Sequence, residues 1–467
     1  MSDAREAPIL LQPKAAGIVE ERPDPGYSPP RDPLSAAALE RWRDHKFGII
    51  IHWGLYTGLG FDGSWTLCRT NDEASMLLPD WFDGDEDAWS AFYAQSRRSF
   101  DPSSFDAEEW ATASAGAGAR YVIVTSKHHD GFSMYDTAQS DYRITAADVP
   151  FGRDALRETF DAFRDAGLET GVYFSKADWH HPGYWSPEES IVDRFHNYDI
   201  AAHPNRWEEF RRFTAAQIDE LLTDYGDINV LWLDAGWVHA PEEDLRMPEL
   251  AERARALQPG ILVVDREVHG PQEDYRTPEQ RVPESRLDWP WESCVTLSDT
   301  WCATTEDETD AKTPEEIVDM LVHVVARGGN LLLGIGPDRN GAMPPSYARV
   351  LAGVGAWLES NGAAIFGTRP VPREWIRGNG GRESLDAAGR TWWLTSHDGR
   401  LHLIDLDRGN TSPHSLVVPL DPALTVTRCT MAGVDVGWRQ GADGAVSIDL
   451  PGRSGGTGQL SLDFTTR

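Results

Sequence analysis

Short apolar runs, each ending in a polar or ionisable residue, recur along the first three-quarters of the chain with amphipathic segments between them. That alternation admits few folds, because a strand reads as a continuous apolar run only where both of its faces are covered, as in a parallel sheet flanked by helices. The candidate strands are 47–51 (FGIII), 121–125 (YVIVT), 171–175 (GVYFS), 229–233 (NVLWL), 261–264 (ILVV), 294–297 (CVTL) and 330–335 (NLLLGI). Between them, 206–223 places Trp207, Phe210, Phe213, Ile218, Leu221 and Leu222 on one helical stripe. Thr313-Pro314-Glu315-Glu316 opens another helix with a cap residue, a first-turn proline and acids at the positive dipole end, and Gly328-Gly329 closes it. The alternation spans roughly 300 residues, the scale of an α/β fold of the (β/α)8-like barrel type. The barrel is imperfect, since the eighth strand is either distorted or contained in 63–105.

Before about Leu34 the chain is polar and proline-rich, as expected of an extended arm. After Asn361-Gly362 the pattern turns to strict alternation. Residues 391–396 and 401–406 flank the turn His397-Asp398-Gly399 as a hairpin would, and 445–450 and 459–464 continue the theme. The expected organisation is an arm over 1–34, a catalytic barrel over 35–366 and a C-terminal β-sandwich over 367–467.

With 467 residues and a formal charge of −32, the chain is expected to repel nucleic-acid backbones and anionic membranes, and favours an uncharged ligand. No stretch has the length of a membrane span. The N-terminal run Ile9–Leu11 is too short for a signal segment, so the cytoplasm is the expected compartment. Cys68, Cys294, Cys302 and Cys429 form no metal-ligand or disulfide spacing and are expected to be buried thiols. Nineteen tryptophans, some clustered as Trp289/Trp291 and Trp392/Trp393, supply flat faces that fill cores or pack against sugar C–H groups.

In a barrel of this kind, chemistry is built where strands run into their following loops. Here those positions carry His52, the run Ser126-Lys127-His128-His129-Asp130, Asp178 and Trp179 after the strand bearing Tyr173, then Asp234, and Asp265-Arg266-Glu267. Three uses are open to such a set. A metal site would draw on His52, His128, His129 and Asp234, but no HxH or HExxH spacing is present, so no metal or other cofactor is expected. A carbohydrate-binding barrel without chemistry would explain the aromatics and histidines but not the acids. Glycoside hydrolysis would use two carboxyl groups, one as nucleophile or base and one as proton donor. Asp234 supplies the first at a rigid strand end; Glu279, in a proline-punctuated loop, competes with Glu267, Glu273, Glu284 and Glu292 for the second. The glycine-rich 328–341 lacks a GK[ST] ending and flanks a strand, which disfavours phosphate binding.

The segments KFGIIIHWGLYTG (46–58), ARYVIVTSKHHDGFSMYDT (119–137), GLETGVYFS (167–175), VLWLDAGW (230–237), DYRTPEQ (274–280), PWESCVTLSDTW (290–301) and GGNLLLGIGPDRNGAMP (328–344) together resemble glycoside hydrolase family 29, the α-L-fucosidases. The resemblance implies an imperfect barrel followed by a sandwich, and retaining release of L-fucose from fucosylated glycans. By the same matching, Asp234 is the nucleophile and Glu279 the acid/base. His52, His128 and His129 would bond the sugar hydroxyls, Tyr173, Trp232 and Trp301 would receive the fucose methyl group, and Arg266 would keep Asp234 ionised. The chain departs from the family pattern in two places. The Glu-Trp pair before the KHHDGF segment has no clear counterpart among Trp81, Asp87-Ala88-Trp89 and Glu109-Trp110, and Trp301-Cys302-Ala303 replaces Trp-Gly-Tyr. Linkage preference would lie in the loops 61–92 and 268–290; oligomeric state is not legible.

Overall fold

A computed structural model describes residues 26–68, 78–191, 193–304, 311–409, 412–452 and 456–466. Most of the expected N-terminal arm therefore lies outside the described residues. Seven parallel strands form one sheet in the order β5-β4-β3-β2-β1-β7-β6: β1 Phe47–Ile51, β2 Tyr121–Lys127, β3 Glu169–Ser175, β4 Val230–Asp234, β5 Leu262–Asp265, β6 Glu292–Thr296 and β7 Asn330–Gly334. Each coincides with an apolar run read from the sequence, to within two residues at either end.

The two-residue period of a strand sorts these side chains into two layers. Ile50, Tyr121, Ile123, Tyr173, Val230, Trp232, Leu262, Val264, Cys294 and Leu332 pack together in one cluster inside the curled sheet. Their neighbours Ile49, Val122, Val172, Leu231, Val263, Val295 and Leu331 join the larger core under the surrounding helices. The helix Pro33–His45, capped by the Asp32 carboxylate on the Ser35 N–H at 2.8 Å, adds Ala38, Leu39 and Trp42 to the inner cluster. Trp42 stacks on Tyr275 with ring centroids 3.9 Å apart.

No strand falls among the described residues of 63–105, which form helical turns and the helix Glu86–Gln95. The gap between β5 and β6 is instead spanned by 274–280. The Asp274 N–H bonds the Val263 carbonyl at 2.8 Å, and isolated parallel bridges join Arg276 to Trp291 and Glu279 to Cys294. Pro278 has no N–H to give a ladder and Gln280 takes a positive φ of 49°, so this segment closes the ring without becoming a strand. The flaw in the barrel is thus the segment that carries Glu279.

The glycine-rich 328–334 is a packing device. Gly328 has φ +94° where the helix Pro314–Ala326 ends, and a Cβ on Gly329 would come within 2.6 Å of the Trp291 ring. Beyond 384 the chain forms antiparallel sheets of six and three strands enclosing a separate apolar core that includes Trp392, Leu403, Val418, Ile448 and Leu462. Trp393 faces the other way, its ring 4.1 Å from His323 on the helix Pro314–Ala326. All four cysteines are buried and unpaired. No helix among the described residues is long and apolar enough to cross a membrane.

Candidate active site

The inward-facing period of four strands carries on to the strand's last residue or the one just after it. Ile50 leads to His52, Tyr173 to Ser175, Trp232 to Asp234 and Val264 to Arg266, so the strand ends deliver these groups to one mouth. Arg266 is fastened there by its N–H on the Leu233 carbonyl at 3.1 Å. Its guanidinium lies 4.6 Å over the Trp232 ring and bridges two carboxyl groups. Nη1 donates to Asp234 Oδ1 at 2.6 Å, and Nη2 donates to Glu279. The Tyr173 hydroxyl donates to Asp234 Oδ2 at 2.5 Å, and His129 Nε2 stands 3.8 Å from the same oxygen.

These surroundings drive the two acids apart. Burial alone would raise the Asp234 pKa, but Arg266, His129, the Tyr173 hydrogen bond and His128 together hold its carboxyl well below the usual carboxylate range. Burial also raises Glu279; Arg266 opposes it, but burial, with the negative charges of Asp234 and Glu267 added, keeps its carboxyl above its ordinary value. One group is set to be ionised and the other to keep a proton longer.

Burial pushes His52 down to about 3, assisted by His128, and His128 down to about 4. Burial likewise depresses His129. Neutral imidazoles can donate at one nitrogen and accept at the other. For His129 the tautomer follows from its neighbour: the Ser175 hydroxyl gives its hydrogen to the Ala177 carbonyl at 2.8 Å, so it accepts from His129 Nδ1 at 2.7 Å. Nε2 then presents a lone pair to the mouth. His128 Nδ1 is 2.6 Å from Ser64 Oγ, while the buried His52 Nδ1 has no protein partner.

Aromatic rings complete the walls. Trp301 lies 4.5 Å from His52, and Trp65 and Trp237 lie 5.0 and 4.9 Å from His129. Trp232 sits one layer deeper, only 1% exposed, with Nε1 donating to Glu292 at 3.3 Å. The other acids near Glu279 are placed elsewhere. Glu273 pairs with Arg276, Glu284 faces solvent, and Glu292 is buried inside the barrel on the Tyr121 hydroxyl at 2.6 Å. Glu267 contributes charge near Arg266 but makes none of the bonds that hold the pair.

Several mouth residues escaped the sequence reading. Ser64 and Trp65 stand beside His128 and His129, and neither was among the residues weighed for the Glu-Trp contact. Trp89 is buried against Phe61, Phe82 and Phe92, and Trp110 against Trp53 and Phe105, so neither of those pairs reaches the mouth. Asp62 Oδ1 accepts the N–H groups of Trp301 and Cys302, the latter at 3.2 Å, and ties the loop after β1 to the loop after β6. Ser175 was detectable as the period-two successor of Tyr173. Asp62, Ser64 and Trp65 lie on an irregular loop that offers no such signal.

Two carboxyl groups that share one guanidinium, one with its pKa lowered and the other with its pKa raised, answer the needs of glycosidic-bond cleavage, and on a barrel of this form they define the class as glycoside hydrolase. The α-L-fucosidase family model matches residues 15–363, and the chain belongs to that family. It is 31% identical to the plasma α-L-fucosidase of Rattus norvegicus over 360 residues, 73% of each chain. It is 26% identical to the tissue α-L-fucosidase of Homo sapiens over 457 residues, 95% of this chain and 92% of that one. Among solved structures, α-L-fucosidase isoenzyme 1 from Paenibacillus thiaminolyticus superposes with a TM-score of 0.74 at 28% identity, covering 92% of this chain and 100% of that one.

Proposed function

We propose that the chain is an exo-acting, retaining α-L-fucosidase in which Asp234 is the nucleophile and Glu279 the acid/base. The observation that supports this most is the Arg266 bridge, which holds two carboxyl groups of opposite protonation preference within one guanidinium's reach. That closeness suits the retaining class, with carboxyl groups about 5 Å apart, better than the ~6.5–9.5 Å needed to admit a water between them. Asp234 attacks the anomeric carbon as the glycosidic C–O bond breaks, and the Glu279 proton passes to the leaving oxygen. Glu279, now a carboxylate, then takes a proton from water as its oxygen attacks the same carbon and frees Asp234. Arg266 and the Tyr173 hydroxyl stabilise the nucleophile's negative charge in the free enzyme.

His52, His128 and His129 receive the sugar hydroxyls, with His129 Nε2 as an acceptor. Trp301, backed by Tyr173 and Trp232, faces the methyl group. Galactose carries a hydroxyl at that carbon, which an apolar wall would leave unpaired. A barrel that only bound fucose would have no use for two buried carboxyl groups with pKa values driven in opposite directions, so turnover is favoured over a lectin-like role. The acidic chain suits uncharged fucosylated glycans, and its unpaired cysteines suit a reducing compartment such as the cytoplasm. The test is release of nitrophenol from para-nitrophenyl α-L-fucoside with a chelator present and the α-L-galactoside alongside. Faster release from the fucoside is expected; silence on the fucoside with fucose still bound would overturn the reading.

A further inference from the structure

Three indoles surround the His129 ring, with centroids at 5.0 Å for Trp65, 5.1 Å for Trp179 and 4.9 Å for Trp237. Burial among such neighbours keeps this imidazole neutral. Trp237 is the one carried by the nucleophile's own loop, three residues after Asp234. That loop leaves β4 under constraint. Ala235 takes a φ of 67°, in the left-handed region that a side chain with a Cβ enters at a cost, and a Cβ on Gly236 would come within 2.8 Å of the Arg266 carbonyl oxygen. Such a departure persists only where the surrounding structure fixes it.

Glu243 holds the far end of the loop. It is buried, and both of its carboxyl oxygens are occupied. Oε1 accepts the backbone N–H of His196 at 2.9 Å and lies 2.6 Å from His196 Nδ1, and Oε2 accepts the Tyr184 hydroxyl at 3.0 Å. That hydroxyl in turn accepts the Trp237 indole N–H at 3.0 Å. Tyr184 is fully buried, its ring 5.3 Å from Phe210 and 6.1 Å from Trp207 on the helix Pro204–Asp224. The Arg194 carbonyl accepts the Trp179 indole N–H at 3.1 Å and stands 3.0 Å from the Tyr184 hydroxyl, while the Arg194 guanidinium lies 5.0 Å over the Trp237 ring. The loops after β3 and β4 therefore meet at one tyrosine hydroxyl, with Glu243 on its far side from the mouth.

We propose that Glu243 is a positioning residue for the fucose site: acting through the Tyr184 hydroxyl, it holds Trp237 edge-on to His129 and so fixes that wall of the mouth. Its own bonds lie behind Trp237, and it touches no sugar. An acceptor is needed there because Tyr184 has one hydrogen to give. Spending it on Glu243 leaves the oxygen's lone pairs for Trp237. The inference rests on the fucosidase reading of the mouth.

Three variants of the full chain test it. Glu243→Leu removes the acceptor, and Tyr184→Phe cuts the route one step later by deleting a single oxygen. Glu243→Gln keeps the route, because its amide oxygen can serve His196 while its NH2 donates to the Tyr184 hydroxyl, whose hydrogen then goes to the Arg194 carbonyl. KM for para-nitrophenyl α-L-fucoside should rise about 10-fold in the leucine and phenylalanine variants with kcat within about 3-fold of wild type, the pattern of lost binding rather than lost chemistry. The glutamine variant should return KM to the wild-type value. In a Trp237→Phe background, where no indole N–H remains to be placed, adding Glu243→Leu should raise KM no further. The calorimetric Kd for L-fucose should follow the same order without turnover. Fucose binding by a wild-type protein that leaves the aryl fucoside intact would sink the fucosidase reading, while the Kd series would still decide the role of Glu243. Unchanged Kd in Tyr184→Phe, equal losses in the glutamine and leucine variants, or a full further loss in the Trp237→Phe background would overturn the proposal.

Discussion

Asp234 and Glu279 hang on the same guanidinium, yet removing each should have a different signature. Asp234→Gly takes away the nucleophile and is expected to lower kcat by roughly 10^4-fold or more. Azide should restore turnover and yield a fucosyl azide of inverted configuration; full activity without azide would remove Asp234 from the mechanism. Glu279 is needed protonated, and its pKa is raised, so activity should persist above the ordinary glutamate range and fall as pH rises through the shifted value. Glu279→Gln should abolish that alkaline limb and impair poor leaving groups far more than activated aryl fucosides. Asp234 is depressed in the folded state, so its contribution to stability is complete above about pH 3.8 and is lost as pH falls through its lower folded value. Legibility in the sequence followed regularity. Asp234 and Arg266 continue a strand's alternation and could be picked out, whereas Glu279 had four rivals from which only the family resemblance chose. Ser64, Trp65 and Asp62 had neither signal.

At the scale of elements, the mouth is held by links between strand ends. Lys176 Nζ meets Asp265 Oδ1 at 2.5 Å with both groups almost fully buried, joining the ends of β3 and β5 across β4. Lys176→Met would leave the Asp265 charge unpaired and should cost about 3–5 kcal/mol, read as a lowered denaturation midpoint. Asp62 links two loops through backbone N–H groups, which an amide oxygen can also satisfy. Asp62→Ala should loosen Trp301 and raise KM for the fucoside about 10-fold, with weaker discrimination against the galactoside. Asp62→Asn should restore both, and an alanine variant with unaltered kinetics would show that Trp301 needs no such tie. The seven strands were readable because each is an apolar run covered on both faces. The closing segment 274–280 was not, since its prolines and polar residues resemble a loop and only the gap between β5 and β6 reveals what it pairs with.

For the molecule as a whole, the sandwich is more than an appendage to the barrel. Trp393 leaves its own sheet's core to pack against His323, with Arg327 5.1 Å over its ring, and Arg408 pairs with Asp319 on the same helix. Trp393→Ala is expected to cost about 3–5 kcal/mol and lower the thermal midpoint, while KM of the protein that stays folded is unchanged. An unchanged midpoint would mean the two parts fold independently. The formal charge of −32 predicts weak affinity for acidic glycans at low salt. The central claim, however, is that two close carboxyl groups on one arginine act by double displacement, and it has a direct readout. Proton NMR of the first fucose released from an α-L-fucoside, recorded before mutarotation, should show the α anomer. The β anomer appearing first would mean inversion and contradict the roles given to Asp234 and Glu279.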